Sequence, residues 1–339
     1  MLLFMIIILK KKNYRRAKYQ EWEDRINLAI NTAIFSDEED IINRLISSSI
    51  IPQNVISLMR NSTFRKLLTS KIVAASKSLS GNSESNLKKL YVQLGLEQYA
   101  LLSLKQSLWH IKAKRIQEIG VMGLQSSLND IKGYLNDKNE LIRTEAQVSV
   151  IKLTGFSGLN FLDSIHYKIS EWNQIILLRE LSHLPPEDFH GMNKWLKSDN
   201  NSVVAFALKL AGIYHRFAFY NDIEICLYHS DPDIRFQAIQ TIAMVYKEKT
   251  AALLKGLFPE ENQKNKKEII KALKVIGNEE DIPFLFEIVG SLDNEMKLMV
   301  VDTIANISSD GLTDLKKIPE AHEYPLNEMI QQIEYTIKQ

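Results

Sequence analysis

The chain has 339 residues, 45% apolar and 24% charged, with eight prolines, thirteen glycines and one cysteine. That balance belongs to a folded chain rather than a disordered one, and so few prolines and glycines suit helices. The lone Cys226 excludes an internal disulfide framework and any multi-cysteine metal site. The net charge of +1 is uneven: Lys10, Lys11, Lys12, Arg15, Arg16 and Lys18 form one basic run, and without them 36 basic residues face 41 acidic ones. Phosphate neutralisation supplies most of the affinity of nucleic-acid binders, so a mildly acidic body argues against nucleic acid as the partner.

Leu2 to Leu9 are all apolar, and the basic run follows at once. A spanning helix needs roughly 20 apolar residues, and this run has fewer than half of them. A secretory signal places its positive charges before the apolar region and a small-residue cleavage site after it; here the order is reversed. Lys and Arg behind an apolar segment mark the cytoplasmic end of a membrane helix. Two membrane expectations follow: a full span completed by a helix upstream, or a short interfacial anchor formed by residues 1–18. Either puts the protein on the cytoplasmic side of a membrane, in bacteria the inner one; without an anchor it is cytoplasmic. The plainer alternative is a buried helix end within the fold.

Residues 19–80 read as a helical N-terminal cap. Trp22, Ile26, Ala29, Ile30 and Ala33 recur at helical spacing. Ser36 with Glu39 three residues on is a helix start, giving a helix to about Ser47. Pro52 opens another segment, and Asn61-Ser62-Thr63 caps a longer helix ending near Leu79. Ser80-Gly81-Asn82-Ser83 is the clearest linker. A repeat array is expected over 81–312, followed by a tail over 313–339 with a last helix from about Leu326. The array begins with a pair broken at Gly95 and a helix from about Leu108 to Val121. Helix pairs follow at 124–136 with 139–154, 159–169 with 171–183, 188–197 with 201–216, 220–229 with 232–247, 250–258 with 264–276, and 281–290 with 294–307. Pro185-Pro186 and Pro283 fall at helix starts or connections, where a missing N–H is harmless. No stretch alternates like a strand, so no sheet is expected.

One phrase recurs along the array. Asp231-Pro232-Asp233-Ile234-Arg235 is followed by Ala238, Ile242 and Val245; Asn139-Glu140-Leu141-Ile142-Arg143 by Ala146, Val150 and Leu153; Asp293-Asn294-Glu295-Met296-Lys297 by Val301 and Ile304. The basic residues at 143, 235 and 297 are 92 and 62 apart, near three and two copies of 31, and Lys266 fills the missing copy. A period near 31 with two helices per copy predicts an all-α fold, a right-handed α-solenoid of about six pairs. The Asp231–Arg235 phrase with Ala238 and Ile242 resembles the second helix of a HEAT repeat, and the resemblance covers roughly residues 87 to 310. It is degraded where Val203-Val204 and Gln174 stand in place of the basic residue. Trp109-His110-Ile111-Lys112-Ala113-Lys114 with Gln117-Glu118-Ile119 is similar to bacterial HEAT-repeat proteins with a hydrophobic N-terminus. The resemblance implies a scaffold or adaptor and no catalytic residues.

Searches for chemistry find little. Neither a GxGxxG nor a GxxxxGK[ST] phosphate loop is present, nor HExxH, so no cofactor and no metal are expected. His183 and His190 flank Pro185-Pro186 with Glu187 and Asp188 between, four side chains of ligand type, read more simply as a polar loop. Cys226 and His229 share a helical face as a conceivable thiol–imidazole pair, although the Cys226 pattern reads first as core. Arg143, Arg235, Lys266 and Lys297 read as a structural ladder pairing with acidic turns, or as a binding stripe. Trp109, Trp172 and Trp195 read as packing, and any exposed one is the best partner-binding aromatic. The expectation is a chain that is not an enzyme but a protein–protein interaction scaffold at the cytoplasmic face of a membrane, contacting lipid through residues 1–18. The alternative is a HEAT-like enzyme or nucleic-acid-processing protein of the helical-repeat DNA glycosylase type.

Overall fold

The structure, a computed structural model, describes residues 2–35, 54–106, 108–184 and 189–337. Among these every regular element is an α-helix or a short 3-10 helix, and no strand occurs. The chain forms an α-solenoid type of fold from helix pairs, divided into two compact units: Met1–Phe161 with Ile175–Pro185, and Leu162–Gln174 with Pro186–Gln339. The expected helix start at Ser36–Glu39, the helix to Ser47, Pro52 and Pro185-Pro186 lie outside the described residues.

The first unit opens with one helix, Leu2–Ile34. Trp22, Ile26, Ala29, Ile30 and Ala33 are buried, as their spacing predicts, and this end packs on the helices Ser62–Ser76 and Asn82–Gln93. The described side chains before Trp22, Phe4, Met5 and Leu9 among them, are all exposed. Good helix formers carry the helix outward past the last residue with a core to face. The helices Leu96–Gln106, Trp109–Val121, Leu128–Lys132 and Glu140–Thr154 follow, the first separated from its predecessor at Gly95, whose φ of 68° only glycine adopts easily. Asn61 and Asn139 cap their helices through Oδ1, Asn61 accepting from Thr63 N at 2.9 Å and Asn139 from Leu141 N at 3.0 Å. The helices Trp109–Val121 and Glu140–Thr154 approach closely at Gly120: a Cβ there would stand 2.9 Å from Ser149 Cα. Ser149 Oγ donates to the buried Ile116 carbonyl at 3.0 Å across the same contact.

Three expected first helices are altered. Residues 159–169 do not form an α-helix; a 3-10 run, Gly155–Asp163, takes their place. Gly155, at φ 64°, turns the chain out of the preceding helix, and Gly158 lies where a Cβ would be 2.9 Å from Ile151 Cα. The 124–136 helix is reduced to Leu128–Lys132 behind a 3-10 turn, and the 188–197 helix to Met192–Trp195.

The second unit is the more regular. Its second helices, Asn201–Ile213, Pro232–Met244, Gln263–Ile276 and Asn294–Ile307, pack each on the next. Their caps Asn200, Asp231, Asn262 and Asp293 are 31 residues apart. The core repeats with them: Ala207, Ala238, Ile269 and Val300 form one fully buried row, and Ala211, Ile242, Leu273 and Ile304 another. Thr241 Oγ1 donates to the Leu208 carbonyl at 3.0 Å, the same device as Ser149 in the first unit. Shorter first helices, Tyr220–Cys226, Thr250–Leu257 and Ile282–Val289, back the array. The final helix Leu326–Ile337 packs on Asn294–Ile307 and buries Leu326 and Ile330.

Candidate functional site

Arg143, Arg235, Lys266 and Lys297 each stand four positions after a cap, whereas Val204 holds that place after Asn200, and the two arginines fold back over the preceding turn. Arg235 Nη1 donates to the carbonyls of His229, at 2.9 Å, and Ser230, at 3.2 Å. Arg143 Nη1 does the same to Asp137, at 2.8 Å, and Lys138, at 3.0 Å. Arg235 also grips Glu261 from Nε at 2.6 Å and from Nη2 at 3.0 Å, a bidentate pair. Burial raises the Glu261 carboxyl, but the bonds from Arg235 and Asn265 outweigh it and hold it below its ordinary value. Lys266 lies 5.4 Å from the Phe258 ring centroid, and Lys297 is half-buried on its helix. Arg65 belongs to the same series: its Nη1 donates to Met59, six residues back, at 3.0 Å. The phrase Asn61…Arg65…Leu68…Ile72 repeats Asn139…Arg143…Ala146…Val150 and carried that signal in the sequence.

Charged and amide side chains also tie successive second helices. Gln240 and Glu268 meet at 3.0 Å, Lys274 and Asp302 at 2.5 Å, and Lys267 pairs with Glu295. In the first unit Gln117 and Glu145 meet at 3.2 Å, and Lys152 and Glu180 at 3.3 Å. Every one of these pairs is 28 residues apart, so one register links neighbours along the array. Beside it in the second unit, Ile213, Met244 and Val275 are 31 residues apart at the ends of consecutive second helices and 51%, 47% and 76% exposed. Met244 Sδ reaches back over Gly212, 2.7 Å from where a Cβ would be. Phe217 and Tyr246 are exposed in the adjoining turns, and His215, at φ 47°, stacks on Phe217 and faces the Met244 carbonyl through Nδ1 at 3.3 Å. Sequence reasoning missed this strip because each member sits in a separate copy.

Of the three tryptophans expected to pack, Trp109 and Trp172 are 51% and 69% exposed rather than in the core. Trp195 is buried and its Nε1 donates to Asp163 at 2.7 Å, so it offers no surface to a partner. Residues Lys10, Lys11, Lys12, Arg15, Arg16 and Lys18 are exposed on the Leu2–Ile34 helix, with exposed Phe4, Met5 and Leu9 ahead of them. Among the described residues no helix is long and apolar enough to cross a membrane.

Cys226 and His229 are not joined as a catalytic pair. The Cys226 thiol donates to the Leu196 and Asp222 carbonyls, and burial, with Asp222, pushes it up to about 11. His229 Nδ1 accepts from Asp231 N at 3.0 Å. Glu187 and Asp188 of the His183–His190 loop lie outside the described residues, and among those described no group of three His, Cys, Asp or Glu side chains is placed to hold a metal.

A further cluster in the first unit was not expected. Arg115 and Glu118 form an ion pair on the Trp109–Val121 helix with both side chains buried. Burial raises the Glu118 carboxyl, opposed by Arg115. Tyr91 is fully buried beside them, and burial, with Glu118, raises its phenol. The guanidinium carbons of Arg65 and Arg115 lie 4.0 Å and 5.0 Å from the centroid of the Tyr99 ring. Burial raises the Tyr99 phenol, but a hydrogen bond from Arg65 and the charges of both arginines bring it below its ordinary value.

No family model matches the chain, and no curated protein matches it. A solved structure that it resembles is the complex of CpcE and CpcF of phycocyanin lyase from Nostoc sp. PCC7120. Identity is 10%, the match covers 83% of this chain and 92% of that one, and the TM-score is 0.27. So distant a likeness assigns no family and no activity. The expectation that the chain is not an enzyme is not kept: the complex it resembles is named for a lyase, and a fold does not by itself exclude catalysis.

Proposed function

We propose that this chain is a HEAT-like scaffold or adaptor that binds another protein along its second helices and is held at an anionic membrane surface by its N-terminal helix. The exposed strip Ile213, Met244 and Val275, with Phe217 and Tyr246 beside it, carries the protein-binding part. Exposed apolar residues repeated in register along a stack of helices form a continuous surface of the kind that marks protein contacts. A photo-crosslinking residue at Met244 is expected to capture one defined partner in cells, while the same residue at exposed Ile225, on a first helix, captures none. Ile213→Asp with Val275→Asp should abolish the Met244 product. Equal yields from Met244 and Ile225, or a product insensitive to the double variant, would overturn the assignment.

The membrane part is supported by the exposed start of the Leu2–Ile34 helix. Leu2 to Leu9 of this helix cover about 12 Å, against a hydrocarbon core of about 30 Å. This stretch by itself reaches into one leaflet, with six cations held at the headgroups at about 1 kcal/mol each. The first acidic residue is Glu21, so nothing in the run opposes an anionic surface. We place the protein at the cytoplasmic face of the membrane, in bacteria the inner one, where Lys and Arg are retained. In a flotation assay the full chain should rise with anionic vesicles, less so as salt increases, and a variant lacking residues 2–18 should stay behind. Equal flotation of the two would sink this part.

A further inference from the structure

Arg65 and Arg235 are held by one device but finish differently. Each stands four residues after its helix cap, and each donates Nη1 to the carbonyl six residues back. Arg235 completes its guanidinium with a carboxylate, taking Glu261 on Nε and Nη2. Arg65 has no carboxylate partner among the described residues, and its Nε is without an acceptor. In place of the carboxylate stands the half-buried ring of Tyr99, with Arg65 4.0 Å from its centroid. Arg115 lies over the same ring at 5.0 Å. The acids that act on the adjoining Tyr91 are engaged elsewhere: Glu118 is paired with Arg115, and Glu97 Oε1 accepts from Ser126 Oγ at 2.5 Å and Ser127 Oγ at 2.7 Å.

We propose that Arg65, with the hydroxyl of Tyr99, forms an oxyanion-binding site that takes a phosphate or carboxylate group. The guanidinium supplies a planar fork that matches such a group, and the phenol adds an O–H donor. This site belongs to the first unit and the strip proposed for the protein partner to the second, and neither assignment depends on the other.

The test reads Tyr99 directly, by the absorbance change of phenol ionisation in the full chain minus that of Tyr99→Phe. The groups facing Tyr99 are Arg65 on one neighbouring helix, Arg115 on another, and Ser103 on its own. An anion bound beside the phenol opposes its ionisation, so inorganic phosphate should move the Tyr99 transition to higher pH in a saturable way. Acetate, run in parallel at matched ionic strength, tells whether a carboxylate serves as well. Arg65→Gln should remove the saturable shift, and Arg65→Lys, which keeps the charge without the fork, should weaken apparent binding at least tenfold. Circular dichroism of each variant confirms that it is folded. A transition unmoved by either anion, or one that shifts equally in folded Arg65→Lys, overturns the site.

Discussion

Arg235 shows how one side chain holds a repeat to its neighbour. Its guanidinium closes two backbone carbonyls of its own turn and a carboxylate, Glu261, whose side chain is 4% exposed. Arg235→Ala leaves that carboxylate buried and unpaired, so it should lower unfolding free energy by about 1–3 kcal/mol in urea titrations. The pair also sets a pH dependence. The folded Glu261 carboxyl is held below its ordinary value near 4.5, so its stabilisation is complete above that value and is lost as pH falls through the folded one. Wild type should therefore lose stability between about pH 5 and pH 3 more steeply than Arg235→Ala; parallel profiles would show that the pair contributes nothing. Arg115 and Glu118 follow a different rule, because both are buried. Removing one partner strands a charge: Arg115→Met should cost about 3–5 kcal/mol, and adding Glu118→Leu should recover most of it. A double variant as unstable as the single would mean that the pair organises the surrounding tyrosines.

At the scale of the helix, close approach is set by glycine, and two positions separate packing from propensity. At Gly120 a Cβ would stand 2.9 Å from the backbone of Ser149 and closer still to its side chain. The two helices would have to part, so Gly120→Ala should destabilise by about 1–3 kcal/mol. At Gly212 the near atom is Met244 Sδ, the far end of a flexible side chain, and backbone is 3.7 Å away. Gly212→Ala should therefore be neutral or stabilise by up to about 1 kcal/mol through helix propensity. Thermal unfolding of the two variants side by side checks the difference; equal effects would show that the Gly120 contact yields freely. The helix caps were readable in advance, because Asn or Asp before a helix meets a purely local need. The loss of the 159–169 helix was not, because its apolar residues fit a helix, while Gly158 packs back against Ile151 of the preceding helix.

At the scale of the molecule, stability in a repeat array is largely a sum of nearest-neighbour contacts. In the second unit the Leu326–Ile337 helix covers Asn294–Ile307. Deleting residues 326–337 should expose that helix, and amide exchange should rise most in 294–307, less in 263–276 and least in 232–244. A uniform rise across all three would mean that the unit opens as one cooperative body. The same linear logic bears on function. Ile213, Met244 and Val275 are unremarkable one at a time, since isolated exposed apolar residues are common, and they form a surface only once the helices stand side by side.

The sequence by itself determined what depends on neighbours along the chain: helices throughout, their caps, and a period of 31. It also marked the basic run after an apolar segment and the basic residue of the recurring phrase at 143, 235, 266 and 297, since both are written in consecutive residues. Only the tertiary structure decided what depends on distant residues meeting. It put Trp195 in the core and Trp109 and Trp172 at the surface, a choice that hydrophobicity alone cannot make for residues at similar helical positions. It gave Arg235 a carboxylate 26 residues away and gave Arg65 a tyrosine ring instead. The two arginines carry the same local signal, but the partner of each comes from a different helix, and only packing brings that helix to it.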